Sequence, residues 1–138
     1  MPPKFFFATK AFIVNNGKIL IVRESPTYGD GTHHGQYDVV GGRIHPGEKW
    51  DDCLLREIKE ETGLNVKIGK PFAINEWRPV VKGEPWQIVG VFLECFADTD
   101  KVVLDSEHDE FKWINPEEYK NYPIIENLIN VFNSYLKK

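Results

Sequence analysis

The sequence predicts an α/β fold, a mixed β-sheet held between helices, and three observations carry that prediction. Runs rich in β-branched and aromatic residues recur along the chain, separated by turn residues. One of them, Ile88 to Phe96, is apolar at almost every position, as a central strand covered on both faces is. A helical stretch opens near Lys49 and closes at Gly63. A second apolar stripe at helical spacing, Ile125, Leu128, Phe132 and Tyr135, comes last.

Phe5 to Val14 and Lys18 to Val22 read as the arms of a hairpin, with Asn15-Asn16-Gly17 supplying the positive φ angles of its turn. From Glu24 to Gln36 the chain is polar and broken by Pro26, Gly29, Gly31 and Gly35, a long connection of the kind that rims a functional site. Tyr37 to Val40 predicts a short strand delivering Gly41-Gly42, where the lack of Cβ lets backbone groups approach a metal or phosphate. His45-Pro46-Gly47 is a turn. In the helix that follows, Asp51 and Asp52 suit the positive end of the dipole, Leu54 and Ile58 form an i,i+4 apolar pair, and Gly63 is a natural C′ residue. Beyond it the pattern predicts a strand from Asn65 to Ile68. A long hairpin comes next, Phe72 to Val81 and Trp86 to Ala97, joined through Lys82-Gly83-Glu84, and then a strand around Phe111 to Ile114. Asn115-Pro116 opens a short helix through Tyr119.

With 138 residues, 41% hydrophobic and 13% aromatic, the chain suits one domain over residues 1–138 with a real core. Its 21 acidic and 17 basic residues, net charge −4 and no basic run, disfavour a nucleic-acid polymer or an anionic membrane as partner. Cys53 and Cys95 read as small buried residues in a reducing cytoplasm. Lys10 interrupts the early apolar run before a signal peptide could form, and no stretch approaches a membrane span. The oligomeric state stays open, a homodimer among the options.

Glu57, Glu60 and Glu61 stand three and four residues apart, on one helix face with Cβ atoms about 5–6 Å from one another. Each ionised pair costs roughly 2–3 kcal/mol at an effective dielectric of about 20, so the cluster calls for cations. Hard oxygen ligands select Mg²⁺ or Mn²⁺, and Mg²⁺ leaves positions for water and phosphate oxygens. A solvated acidic face with Lys59 is the plainer alternative.

Gly42, Glu48, Arg56, Glu57, Ile58, Glu60, Glu61, Gly63 and Leu64 together match G-x5-E-x7-R-E-U-x-E-E-x-G-U, U being a bulky aliphatic residue. That pattern is the box of the Nudix hydrolases, which this chain resembles. Chance agreement at a given start is on the order of 10⁻¹⁰ from ordinary residue usage, which removes coincidence as a competitor. The chain departs from many members in having Val40 where they carry proline before the glycine pair.

The resemblance implies the Nudix α/β/α sandwich and attack of a metal-activated water on a diphosphate linkage of a nucleoside diphosphate joined to another group. It implies Glu57 and Glu61 as principal metal ligands, Glu60 in the shell directly or through water, and the Gly41 carbonyl as a further ligand. Arg56 and Glu48 read as structural, Arg56 orienting a carboxylate and Glu48 tying the turn to the helix. A catalytic carboxylate from outside the box is common in the family, and here Glu107 and Glu110 stand as alternatives. Trp86, Trp77 and Arg78 line the nucleotide pocket or simply pack. His33, His34 and His45 contact phosphate or base, or are solvated.

Size and resemblance rank nucleoside triphosphates, ordinary or modified, and dinucleoside polyphosphates ahead of ADP-ribose and nucleotide sugars. A sensor that keeps the fold without turnover is the competing class. Gly42 to Lys49 fails as a P-loop because Glu48 stands where lysine must follow the second glycine. Gly29-Asp30-Gly31 is followed by Gly35 one place too late for a dinucleotide fingerprint.

Overall fold

The computed structural model describes residues 2–29 and 31–138. Strands β1 (Lys4–Asn15) and β2 (Lys18–Glu24) form the expected hairpin, with Asn16 at φ 51° and Gly17 at φ 75° in its turn. The arms pair beside the turn, Val14 with Ile19 and Asn15 with Lys18, and then splay. Residues 37–43 fill the opening. β3 (Tyr37–Asp38) pairs with β2, the Ala11 N–H donates to the Val40 carbonyl at 2.9 Å, and β4 (Gly41–Arg43) pairs with β1. The strand expected over Tyr37 to Val40 thus ends at Asp38, and beyond Val39-Val40 the glycine pair belongs to a second short strand with a different partner.

β5 (Val66–Trp77) unites two runs that the sequence separates, its register shifting on either side of Pro71, which has no N–H for the ladder. After β6 (Val80–Val81) comes β7 (Glu84–Ala97), which lies parallel to β1 and antiparallel to β5. It is therefore central, as its unbroken apolar run implies. β8 (His108–Ile114) pairs with β2, and the sheet order β3-β2-β1-β7-β5 mixes parallel and antiparallel neighbours.

Strand alternation divides the core between the two faces of this sheet. On one face Ala11, Ile13, Leu20, Val22 and Leu93 pack against helix α1 (Trp50–Thr62) through Leu54 and Ile58. Both helix residues are fully buried, each contributing about 2 kcal/mol. α1 starts without a side-chain cap, Asp51 and Asp52 in its first turn, and ends as expected at Gly63, whose φ of 73° lets its N–H reach the Lys59 carbonyl at 2.9 Å. On the other face Phe12, Ile19, Ile21 and Phe92 meet Val131 and Phe132 of helix α2 (Ile129–Lys137). α2 starts later than the stripe suggests, Glu126–Leu128 forming a 3₁₀ turn before it. Pro116–Asn121 is likewise 3₁₀, and Asn115 donates to the Glu118 carboxylate at 2.7 Å instead of capping. Among the described residues no helix is long and apolar enough to cross a membrane.

Candidate active site

The register of β4 on β1 sets Gly41 opposite Lys10 and Gly42 opposite Thr9, beneath α1. A Cβ on Gly42 would stand 2.5 Å from the carboxyl carbon of Glu57, so only glycine lets that side chain lie against the strand. One helical turn on, Glu61 is 7% exposed and lies beside the Glu57 carboxyl. Burial first, then the adjoining Glu57 carboxyl and the charge of Asp105, push the Glu61 carboxyl well above the usual range. The ammonium of Lys10 opposes the shift. Lys10 is itself mostly buried and paired with Asp38 at 3.2 Å.

Gly42, Glu57, Glu61, Lys10 and Asp38 line a cavity of about 340 Å³ that also meets Gly41, Arg43, Trp77, Trp86, Glu107 and His108. The long loop forms its rim, as expected, through Tyr28, Thr32 and His33, Asp30 lying outside the described residues. The Glu24 carboxylate accepts the His33 N–H at 2.8 Å, and the Ser25 N–H donates to the Glu107 carbonyl at 2.8 Å, which fastens the loop to the segment carrying Glu107. Burial and the neighbouring Asp105 raise the Glu107 carboxyl above its ordinary range, while a hydrogen bond from Tyr28 opposes this. The Asp105 carboxylate lies 2.8 Å from His108 Nδ1 and accepts from it when that nitrogen carries the proton.

Five expected residues stand outside that lining. Glu60 is more than half exposed and reaches Arg56 at 3.4 Å, outside the cavity lining. Glu110 accepts from the Tyr37 hydroxyl at 2.8 Å and pairs with Arg23 at 2.9 Å, also outside it. His34 turns into its own loop, Nε2 lying 2.7 Å from the Tyr28 carbonyl. His45 points outward at 67% side-chain exposure. Arg78 pairs with Glu76 and lines a neighbouring cavity of about 600 Å³, shared with Trp77, Thr32, His33 and Asn127. Arg56 donates to Glu48 at 2.7 and 3.1 Å and to Glu57 at 3.0 Å, while the His45 N–H donates to Glu48 at 3.2 Å. The turn and helix are thereby joined, and the guanidinium holds Glu48 down to about 2.

Among the described residues no three carboxylate, imidazole or thiol side chains converge on one metal position. The converging pair is Glu57 and Glu61, and two carboxylates completed by water and phosphate oxygens suit Mg²⁺. Sequence reasoning missed Lys10, Asp38, Arg43 and His108 as parts of the cavity wall, and Asp105 as the partner of His108. The available signals were a lone lysine in an apolar strand and an arginine directly after the glycine pair.

Residues 5–133 match the model of the NUDIX domain. Relatives include nucleoside triphosphatase NudI of Escherichia fergusonii, 26% identical over 119 residues that span 81% of this chain and 83% of the relative. CTP pyrophosphohydrolase of Escherichia coli K12 is 28% identical over 121 residues, 88% of this chain and 84% of that one. Among solved structures, the MutT protein from Methanosarcina mazei Go1 superposes with a TM-score of 0.87 at 21% identity, covering 99% and 96% of the two chains. A C. elegans Ap4A hydrolase binary complex superposes with a TM-score of 0.70 at 19% identity, covering 96% of each.

Proposed function

Because this chain belongs to the Nudix hydrolase family, we propose that it cleaves a phosphoanhydride bond of a small nucleotide, with nucleoside triphosphates, ordinary or modified, and dinucleoside polyphosphates as the preferred class. The observation that carries this reading is the Glu57–Glu61 pair, two carboxyls one helical turn apart in the wall of one cavity. A like-charge pair of this kind is relieved by a divalent cation held between the two groups. Glu57 and Glu61, with the Gly41 carbonyl, would hold Mg²⁺ or Mn²⁺, which supplies neutralisation of phosphate charge and a more acidic water.

The chain's own groups do the rest. Gly42 leaves room for the Glu57 carboxylate at its working position, and Arg56 orients it from the other side. Glu107, raised by burial and Asp105, accepts the proton of the attacking water. Trp77, Thr32, His33 and Asn127, common to the central cavity and its neighbour, take the nucleoside. The names of the relatives, a nucleoside triphosphatase and a CTP pyrophosphohydrolase, support triphosphates first. Two free, buried cysteines suit a reducing cytoplasm as the setting.

The test is a panel of nucleoside triphosphates, dinucleoside polyphosphates, ADP-ribose and nucleotide sugars with Mg²⁺ or Mn²⁺, scored for products. Release of nucleoside monophosphate and pyrophosphate from a triphosphate is expected. Hydrolysis of ADP-ribose alone overturns the ranking, and turnover of nothing overturns the activity.

A further inference from the structure

Strands β4, β1 and β7 lie side by side, and their register gathers Arg43, Phe6 and Trp86 at the cavity mouth. Arg43 pairs with Ala8, two residues from Phe6 on the same strand face, and Trp86 stands on the parallel neighbour opposite Lys4. The Arg43 guanidinium carbon lies 4.5 Å from the centroid of Phe6 and 4.6 Å from that of Trp86, the two rings being 4.7 Å apart at 57°. Stacking occupies the flat face of a guanidinium and leaves its in-plane N–H donors for an anion.

Among the described residues, Arg43 is the one of the four arginines without a carboxylate partner. Arg23 is paired with Asp109 and Glu110, Arg56 with Glu48, Glu57 and Glu60, and Arg78 with Glu76. Arg43 therefore carries uncompensated charge in a fixed place, directly after the glycine against which Glu57 packs. It borders both the central cavity and a second one of about 550 Å³, lined also by Lys4, Phe6, Tyr28 and Trp86. Lys4 is engaged by Glu84 at 3.0 Å and Lys10, the other lysine or arginine in the wall of the central cavity, by Asp38 at 3.2 Å, whereas Arg43 has no carboxylate partner among the described residues.

We propose that Arg43, clamped by Phe6 and Trp86, binds the phosphoryl group lying beyond the diphosphate held at Glu57 and Glu61, so that this site selects substrates with three or more phosphates in a row. This rests on the reading that cleavage occurs at the glutamate pair. A nucleoside triphosphate or dinucleoside polyphosphate presents that extra anion, whereas ADP-ribose and nucleotide sugars place an uncharged sugar there. Arg43 acts through ground-state binding and substrate choice, and the charge that Lys would retain without the planar fork accounts for only part of it.

The test compares wild type, Arg43→Ala, Arg43→Lys and Trp86→Leu in two measurements. The first is titration of inorganic tripolyphosphate with Ca²⁺, and the second is kcat and KM for a nucleoside triphosphate and for ADP-ribose with Mg²⁺. Arg43→Ala is expected to weaken tripolyphosphate binding about tenfold or more and to raise KM for the triphosphate alike, as loss of a charge-assisted hydrogen bond does, with kcat within about threefold. KM for ADP-ribose stays unchanged. Arg43→Lys recovers part of the affinity, and Trp86→Leu weakens it with Arg43 still present. Equal tripolyphosphate affinity in wild type and Arg43→Ala overturns the proposal, as does a uniform loss on both substrates. A wild type that turns over no nucleotide overturns the proposed function, while the tripolyphosphate titration still decides the role of Arg43.

Discussion

The carboxylate of Glu57 occupies the space a Cβ on Gly42 would need, with its three terminal atoms 2.5, 2.6 and 2.8 Å from that position. The φ of Gly42 is not among the positive ones, so alanine fits the backbone there and only the Glu57 side chain must move. Gly42→Ala should therefore fold with a near-native Tm and lose about tenfold or more in kcat, because a carboxylate displaced by a fraction of an ångström no longer meets its ligand. Thermal melting beside steady-state kinetics checks this, and an unchanged kcat would sink the idea that Glu57 works from that position.

Glu57→Gln and Glu61→Gln should each lower kcat by about a hundredfold or more while leaving the fold intact. Glu61 carries an additional signature. Its folded pKa is raised above the ordinary 4.5, so the stability it contributes is present below 4.5 and lost as pH rises through the folded value. At neutral pH the metal-free protein bears that loss, and Glu61→Gln should melt higher than wild type. Mg²⁺ should raise the wild-type Tm, EDTA should remove activity reversibly, and the variant should respond little to either. A wild type fully active after exhaustive chelation contradicts the metal reading.

How much of this could be read beforehand follows from which interactions are local. Glu57 and Glu61 were legible as a pair because four residues along a helix bring side chains to one face, whatever the rest of the chain does. The same rule sets Arg56 four residues before Glu60, and the structure has that pair at 3.4 Å, but the rule gave no sign that Glu60 lies more than half exposed on the margin of the face. Lys10 and Arg43 escaped because their places depend on which residues of β1 and β4 pair, and that register is set between segments some thirty residues apart. The splaying of β1 from β2 escaped likewise, since a tight turn fixes the first pairs of a hairpin and not its far ends. The unbroken apolar run of β7 and the closing glycine of α1 were local signals, and the structure bears out both.

Glu107 and Glu110, three residues apart, separate in the fold, and their variants should separate too. Glu107 lines the cavity, so Glu107→Gln is expected to lose most of its kcat with little change in Tm. Glu110 secures the Tyr37 hydroxyl, whose titration it helps push up to about 12, along with Arg23 and Lys112. Glu110→Gln should lower Tm and keep kcat within about a few-fold of wild type. The reverse pattern would return Glu110 to the reacting groups.

Acid should loosen the turn before α1. The folded pKa of Glu48 is depressed from 4.5 to about 2 by Arg56, so its stabilising share is present above 4.5 and disappears as pH falls toward 2. Chemical denaturation across that window should show a shallower pH dependence for Glu48→Gln than for wild type. Parallel curves would place the acid sensitivity elsewhere.

The loop from Glu24 to Gln36 leaves and re-enters the sheet through one neck. There the Glu24 N–H donates to the Gln36 carbonyl and the Gly35 N–H donates to the Glu24 carbonyl, both at 3.0 Å. Because that neck closes before β3 begins, the loop is an exchangeable cassette. Gly41, Gly42 and α1 take their backbone partners elsewhere, so the thirteen residues from Glu24 to Gln36 can reshape the rim of the cavity without touching the helix that carries Glu57 and Glu61.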